Sequence, residues 1–239
     1  MLFLLIAVVS ALYATVGQAG GTGFVAVMAI ASVPTDEIRI TALALNIIAA
    51  GYATVQLMVA RTVNWRLLGI FLASSVPAAF LGGYIVLGGK VASTMTGLLL
   101  LAACATLIVR RHIAGEARTI AKPIALAIGA TTGFASGLSG IGGGVFLAPL
   151  LIVLGHISPK RIAGLAPPFI LANSVVGFAG ALFAGHRLSM TAVPLMAAAF
   201  LGSVAGTAVG LRWQSETVIR YVLAAVLAVA GAELLTRAI

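Results

Sequence analysis

Eight apolar stretches, each of roughly the 20 residues that a helix needs to cross a hydrocarbon core of about 30 Å, decide what this chain can fold into. They occupy residues 1–35, 40–60, 67–89, 91–109, 123–155, 162–185, 188–211 and 218–236; only the last contains charges, Arg220 and Glu233 near its ends. The runs are continuous in Leu, Ala, Val and Ile, without the alternation of a membrane barrel. In lipid every backbone group must then be satisfied within a helix, so the expected fold is an all-α, multi-pass membrane protein. Composition agrees: 8% of residues are charged, far below the roughly 25% of soluble domains.

The formal charge of +9 could suggest nucleic acid, but the basic residues lie in the short connections between apolar runs and no aromatic-and-basic module accompanies them. Membrane topology accounts for them better, and nucleic acid is not an expected partner. Cys104, the only cysteine, lies inside an apolar run and is expected to pack as a small apolar residue. The first run has no basic residue before it and recurs in the second half, so it reads as mature structure rather than a signal peptide.

Two runs, 1–35 and 123–155, are much longer than a crossing requires, and each is interrupted by glycines. Glycine costs about 1 kcal/mol relative to alanine in a helix interior. Four in seven positions therefore make a break, with the first helix expected to stop near Gly17 and restart after Gly23. Gly17-Gln18-Ala19-Gly20-Gly21-Thr22-Gly23 falls on Gly137-Leu138-Ser139-Gly140-Ile141-Gly142-Gly143 at an offset of 120. Arg39-Ile40 resembles Arg161-Ile162, and Ala78 and Gly82 match Gly202 and Gly206. The chain reads as two four-segment repeats, 1–118 and 119–239, within one integral membrane domain.

Charge counting weighs two geometries for the broken segments. If all eight segments span, Lys and Arg divide 8 to 6 between the faces; if the first and fifth are re-entrant, the division is 10 to 4. The positive-inside tendency favours the re-entrant form, with both termini outside, three spanning helices per half and the halves inverted. The glycine breaks would then approach each other near the midplane.

At each break, backbone N–H groups with no preceding carbonyl sit at the positive end of the helix that follows. Such a place suits an anion. Gln18, Thr22 and Ser139 can add neutral donors, and Asn46 and Asn173, inside the second segment of each half, are candidates for the same cavity or for hydrogen bonds between helices. Asp36, Glu37, Glu116 and Glu216 fall in connections and Glu233 near a segment end, which argues against a carboxylate proton relay or a cation pump. Pro167-Pro168 removes two donors from the sixth segment, and Gly202, Gly206 and Gly210, like Ala78 and Gly82, read as close helix packing.

Gly137-Leu138-Ser139-Gly140-Ile141-Gly142-Gly143-Gly144 followed by Pro149, the weaker copy Gly17 to Gly23 followed by Pro34, and Asn64-Trp65-Arg66 opening the third segment together resemble the TauE/SafE sulfite exporter family over essentially the whole chain. The resemblance implies a multi-pass permease of the cell inner (plasma) membrane exporting sulfite, sulfoacetate or related organosulfur anions, without metal or cofactor. Carried over by motif, Gly20, Gly21, Thr22, Gly23, Ser139, Gly140, Gly142, Gly143 and Gly144 would line the substrate. The family often shows hydroxyl residues early in the second segment of each half; Thr41 stands there in the first, while the second reads Ala163-Gly164-Leu165-Ala166-Pro167-Pro168.

The leading expectation is a secondary carrier for a small anion, with a passive anion channel as the alternative and the lipid bilayer as surroundings. A homodimer is one assembly the chain allows. Gly137-Leu138-Ser139-Gly140 also spells the G-x-S-G of rhomboid-type intramembrane proteases, but His156 and His186 lie in connections, so no base is expected beside Ser139 and the chain is not read as an enzyme. Gly143→Val is expected to abolish transport with folding intact.

Overall fold

Six of the eight apolar segments form α-helices among the described residues, and the two over-long ones break where their glycines cluster. The computed structural model describes residues 1–85, 120–153 and 159–212, with isolated helical positions between 94 and 105 and between 221 and 236. The first half contributes α1 (Leu2–Ala14), α2 (Gly21–Ile30), α3 (Thr35–Val59) and α4 (Trp65–Tyr84). The second contributes α5 (Lys122–Ser139), α6 (Gly144–Val153), α7 (Pro159–Phe183) and α8 (Ala192–Arg212). No strand occurs among the described residues. The expected junction of the halves at 118 and 119, and most of the fourth and eighth apolar segments, lie outside the described residues.

Four of these helices hold spans long and apolar enough to cross a membrane: Glu37–Val59, Trp65–Tyr84, Arg161–Phe183 and Ala192–Gly210. The pieces of the broken segments differ. α1 has 13 residues and α2 has 10, about 20 Å and 15 Å of helix, so neither crosses a full hydrocarbon core alone. Apolar side chains face outward in register: Leu4, Val8 and Leu12, four residues apart on α1, are 66%, 55% and 56% exposed. A soluble helix would turn such a stripe inward. Here it meets lipid.

α1 packs on α8 and α5 on α4, each pair in the other's half, while α3 and α7 face each other at the centre. α7 also packs on α4, and α3 on α8. Exchanging the halves therefore returns the same set of principal neighbours. The crossings are tight because glycine lets backbones meet. A methyl group at Gly202 or Gly206 would overlap the carbonyl of Ala7 or Ala11, and one at Gly82, Gly133 or Gly137 would overlap that of Phe134, Ser75 or Ala79. The close-packing expectation for Gly82, Gly202 and Gly206 is met. The short inner helices anchor through equivalent side chains, Phe24 and Met28 on α2 and Leu147 and Leu151 on α6, all buried.

Asn64 caps α4, its side chain accepting from the Leu67 N–H at 3.1 Å. α7 runs without interruption through Pro167 and Pro168. Pro167 cannot donate to the Ala163 carbonyl one turn earlier, and that carbonyl instead lies against Gly17 in the first break. Cys104 is buried, with its thiol donating to the Ala224 carbonyl at 3.2 Å.

Candidate functional site

The first break opens with Gly17 in the left-handed region at φ +73°, closing α1 through a Schellman pair: Gly17 N–H donates to Ala14 at 3.2 Å and Gln18 N–H to Tyr13 at 3.0 Å. Gly20, at φ +109°, then caps α2. The helix restarts at Gly21, two residues before the expected end of the break, because Gly20 alone makes the reversal.

The second break follows a similar plan with one more left-handed glycine. Gly140, φ +77°, ends α5 with its N–H donating to Ser136 at 2.9 Å, and Gly142 and Gly143, φ +87° and +76°, precede the restart at Gly144. The matching left-handed positions are Gly17 with Gly140 and Gly20 with Gly143, which sets the offset at 123 rather than the expected 120.

At this register the contacts between halves are reciprocal. Gly21 sits against the Ile141 carbonyl and the Asn46 amide; Gly144 sits against the Gln18 amide and Ile170. Gly17 meets Ala163, and Gly140 meets Arg39. Each residue of one pair has its counterpart 123 or 124 positions away in the other. The two breaks therefore touch, and the starts of α2 and α6 meet at one junction.

The first ladder bond of α2 is donated by Phe24 to Gly20 at 2.8 Å, and that of α6 by Leu147 to Gly143 at 3.0 Å. The N–H groups ahead of them, at Gly21, Thr22 and Gly23 and at Gly144 and Val145, precede the helical pattern at the positive ends of two helices. Polar side chains gather here. Gln18 is 2% exposed, and neither atom of its amide has a partner among the described residues. Asn46, fully buried, donates from Nδ2 to the Gly140 carbonyl at 3.1 Å and leaves Oδ1 unpartnered. Ser174 and Ser136 stand beside Gly142 and Gly143, with their hydroxyls also unpartnered among the described residues.

The other expected residues are placed differently. Thr22 shares a 2.7 Å hydrogen bond with the Tyr13 hydroxyl, Gly20 lies under the Phe24 ring, and Gly23 faces Val9 and Tyr13 of α1. Ser139 donates to the Ala135 carbonyl at 2.6 Å and accepts from Ile141 N–H at 3.3 Å, so it shapes the break. That engagement with its own backbone is also not the arrangement of a nucleophile held by a base. Asn173 donates to the Phe169 carbonyl at 2.8 Å within α7; its Oδ1 is unpartnered, one turn from Ile170 on the same face. No group of three or more His, Cys, Asp or Glu that could hold a metal occurs among the described residues.

Tyr13, Ser136 and Ser174 belong to this neighbourhood and carry no signal in the sequence pattern, since their helices are largely apolar; Arg39, singled out in sequence only as part of the repeat, belongs to it too. Arg39 reaches from α3 to the end of α4, donating to the carbonyls of Gly82, Gly83 and Ile85 while its own backbone lies against Gly140.

A family model described as "Sulfite exporter TauE/SafE" matches residues 2–234. The chain belongs to the TauE/SafE sulfite exporter family. It is 33% identical over 234 residues to the probable membrane transporter protein y4hK of Sinorhizobium fredii, covering 95% of this chain and 94% of that one. It is 26% identical over 223 residues to the probable membrane transporter protein YunE of Bacillus subtilis, covering 84% and 81%. No solved structure matches it. This TauE/SafE chain is thus a multi-pass membrane transporter, one of a family of transporters.

Proposed function

We propose that this transporter is a plasma-membrane carrier for a small oxyanion, sulfite or an organosulfonate, held where the starts of α2 and α6 meet. The observation that carries the reading is Gln18: a primary amide, 2% exposed, with neither end partnered among the described residues, set against Gly144 at the start of α6. A buried polar group without a partner costs about 1–3 kcal/mol. An oxyanion would relieve the Nε2 part of that cost while accepting from the N–H groups at the starts of both helices.

The exchange of neighbours between halves supports an inverted duplication, in which α1–α2 and α5–α6 are re-entrant hairpins entering from opposite faces. The substrate would then sit near the midplane, exposed to each side in turn as the halves rock. Counterflow of labelled sulfite, and of sulfonates, in proteoliposomes tests the reading. Saturable flux with trans-stimulation is expected. Absence of flux for every anion tried would refute it.

A further inference from the structure

The orientation of the Asn46 amide is fixed by what it touches. Its Nδ2 donates to the Gly140 carbonyl; turning the amide over would set Oδ1 against that same carbonyl, two acceptors facing each other. Oδ1 is therefore an acceptor held in place, fully buried and without a donor among the described residues.

The position equivalent to Asn46 is Ile170, and the position equivalent to Gln18 is Ile141. The two halves thus contribute unequal sides to the junction: the amides of Gln18 and Asn46 come from the first, where the second has Ile141 and Ile170 and adds the hydroxyls of Ser136 and Ser174. N–H groups at the starts of α2 and α6 and the Gln18 amide can serve the oxygens of an anion. None of these groups is bonded to Asn46 Oδ1, and a hydrogen on the ligand would serve it.

Resting on the anion reading above, we infer that the transported species is a monoanion that carries a polar hydrogen, such as hydrogen sulfite or a hydroxysulfonate, and that Asn46 selects it. A fully deprotonated dianion offers only acceptors. It would leave Oδ1 unpaired and bring a second set of lone pairs toward it, the kind of mismatch by which a buried polar site rejects a near-isostere. No protein carboxylate is needed to carry the proton, because it travels on the substrate.

Two probe pairs test this with the purified, full-length protein in detergent, by thermal stabilisation and calorimetric titration. Isethionate and 1-propanesulfonate have the same fixed charge and nearly the same shape, and differ by a hydroxyl in place of a methyl. Isethionate is expected to bind roughly ten-fold more tightly, and this preference should vanish in Asn46→Leu. Total sulfite should bind more tightly below neutrality, where hydrogen sulfite predominates, than above it.

Equal affinity for the two sulfonates, a preference that survives in Asn46→Leu, or sulfite binding that tightens above neutrality would each overturn the hydrogen requirement while leaving the anion site standing. The wild-type comparison decides the question even where the variant does not fold. Failure of sulfite and both sulfonates to bind at any pH would instead remove the anion reading itself.

Discussion

The Cα of Gly21, the first residue of α2, lies against the carbonyl of Ile141, in the break between α5 and α6, so closely that no side chain fits between them. Two segments more than a hundred residues apart in sequence are thereby held in backbone contact, while the counterpart glycine, Gly144, meets the side chains of Ile170 and Gln18. The junction is built by glycine at positions where any larger residue would part the two breaks.

Gly21→Val and Gly143→Val should therefore fail in different ways. Gly21 has ordinary helical geometry, so valine there acts by steric overlap alone, with the Ile141 carbonyl and the Asn46 amide, at a cost of about 1–3 kcal/mol for an overpacked site. Gly143 stands at φ +76°, where a β-branched residue adds backbone strain of about 1–2 kcal/mol. Both variants should insert, melt below the parent and lose at least about ten-fold in counterflow, Gly143→Val through strain of its own backbone and Gly21→Val through overlap with its neighbours. The sequence-based expectation of intact folding for Gly143→Val is revised by that φ. A Gly21→Val protein that transports at the parental rate would remove the junction from the transport path.

Gln18→Leu should separate stability from function. Replacing two unpartnered buried polar atoms by an aliphatic side chain of similar size is expected to leave stability unchanged or raise it by about 1 kcal/mol. Transport of sulfite or sulfonate should fall sharply. A parallel loss of both, read by thermal melting and counterflow on the same preparation, would mark Gln18 as a structural residue.

Arg39 ties the start of α3 to the end of α4 through a planar fork of donors that lysine cannot copy. Arg39→Met should destabilise the protein by about 2–3 kcal/mol, since charge-assisted hydrogen bonds are lost and helix-end carbonyls are left unsatisfied. Arg39→Lys should recover part of that loss, keeping the charge at the helix C-terminus without the fork. Equal melting temperatures for all three proteins would show that the carbonyls find other donors.

A single cysteine at Asp36, after removal of Cys104, reports on the inverted topology. With α1–α2 entering and leaving by the same face, a membrane-impermeant maleimide added to intact cells should label it. Labelling confined to inside-out vesicles would require α1–α2 to cross, and the hairpin arrangement would be abandoned.

The break in each over-long segment was legible because glycine density overrides the helical preference of the surrounding residues. The register between the copies was not. Glycines recur at intervals of three in the first break, so matching Gly17 to Gly137 scores as well by eye as matching it to Gly140; only the left-handed torsions at Gly17, Gly20, Gly140 and Gly143 separate the two. The match of Gly82 to Gly202–Gly206 did fall in register, since tight crossings leave little freedom for sliding. Within the site, Gln18 stood out as a lone amide beside glycines. Tyr13, Ser136 and Ser174 did not, because small hydroxyls on helices that are apolar on every face look alike whether they point to a neighbour's backbone or into a binding site. Ser139 shows the converse: placed as a donor by its motif, it is occupied with its own helix.

The proline pair in α7 bears on movement. A helix resists bending because bending stretches its ladder of hydrogen bonds, yet at Pro167 and Pro168 two rungs are missing from the outset. The freed Ala163 carbonyl rests on Gly17, a residue with no side chain to catch on it. α7 can therefore tilt at this level without breaking any bond of its own. The sliding surface it would tilt across is the first break itself, so the joint and the proposed anion site are one piece of architecture.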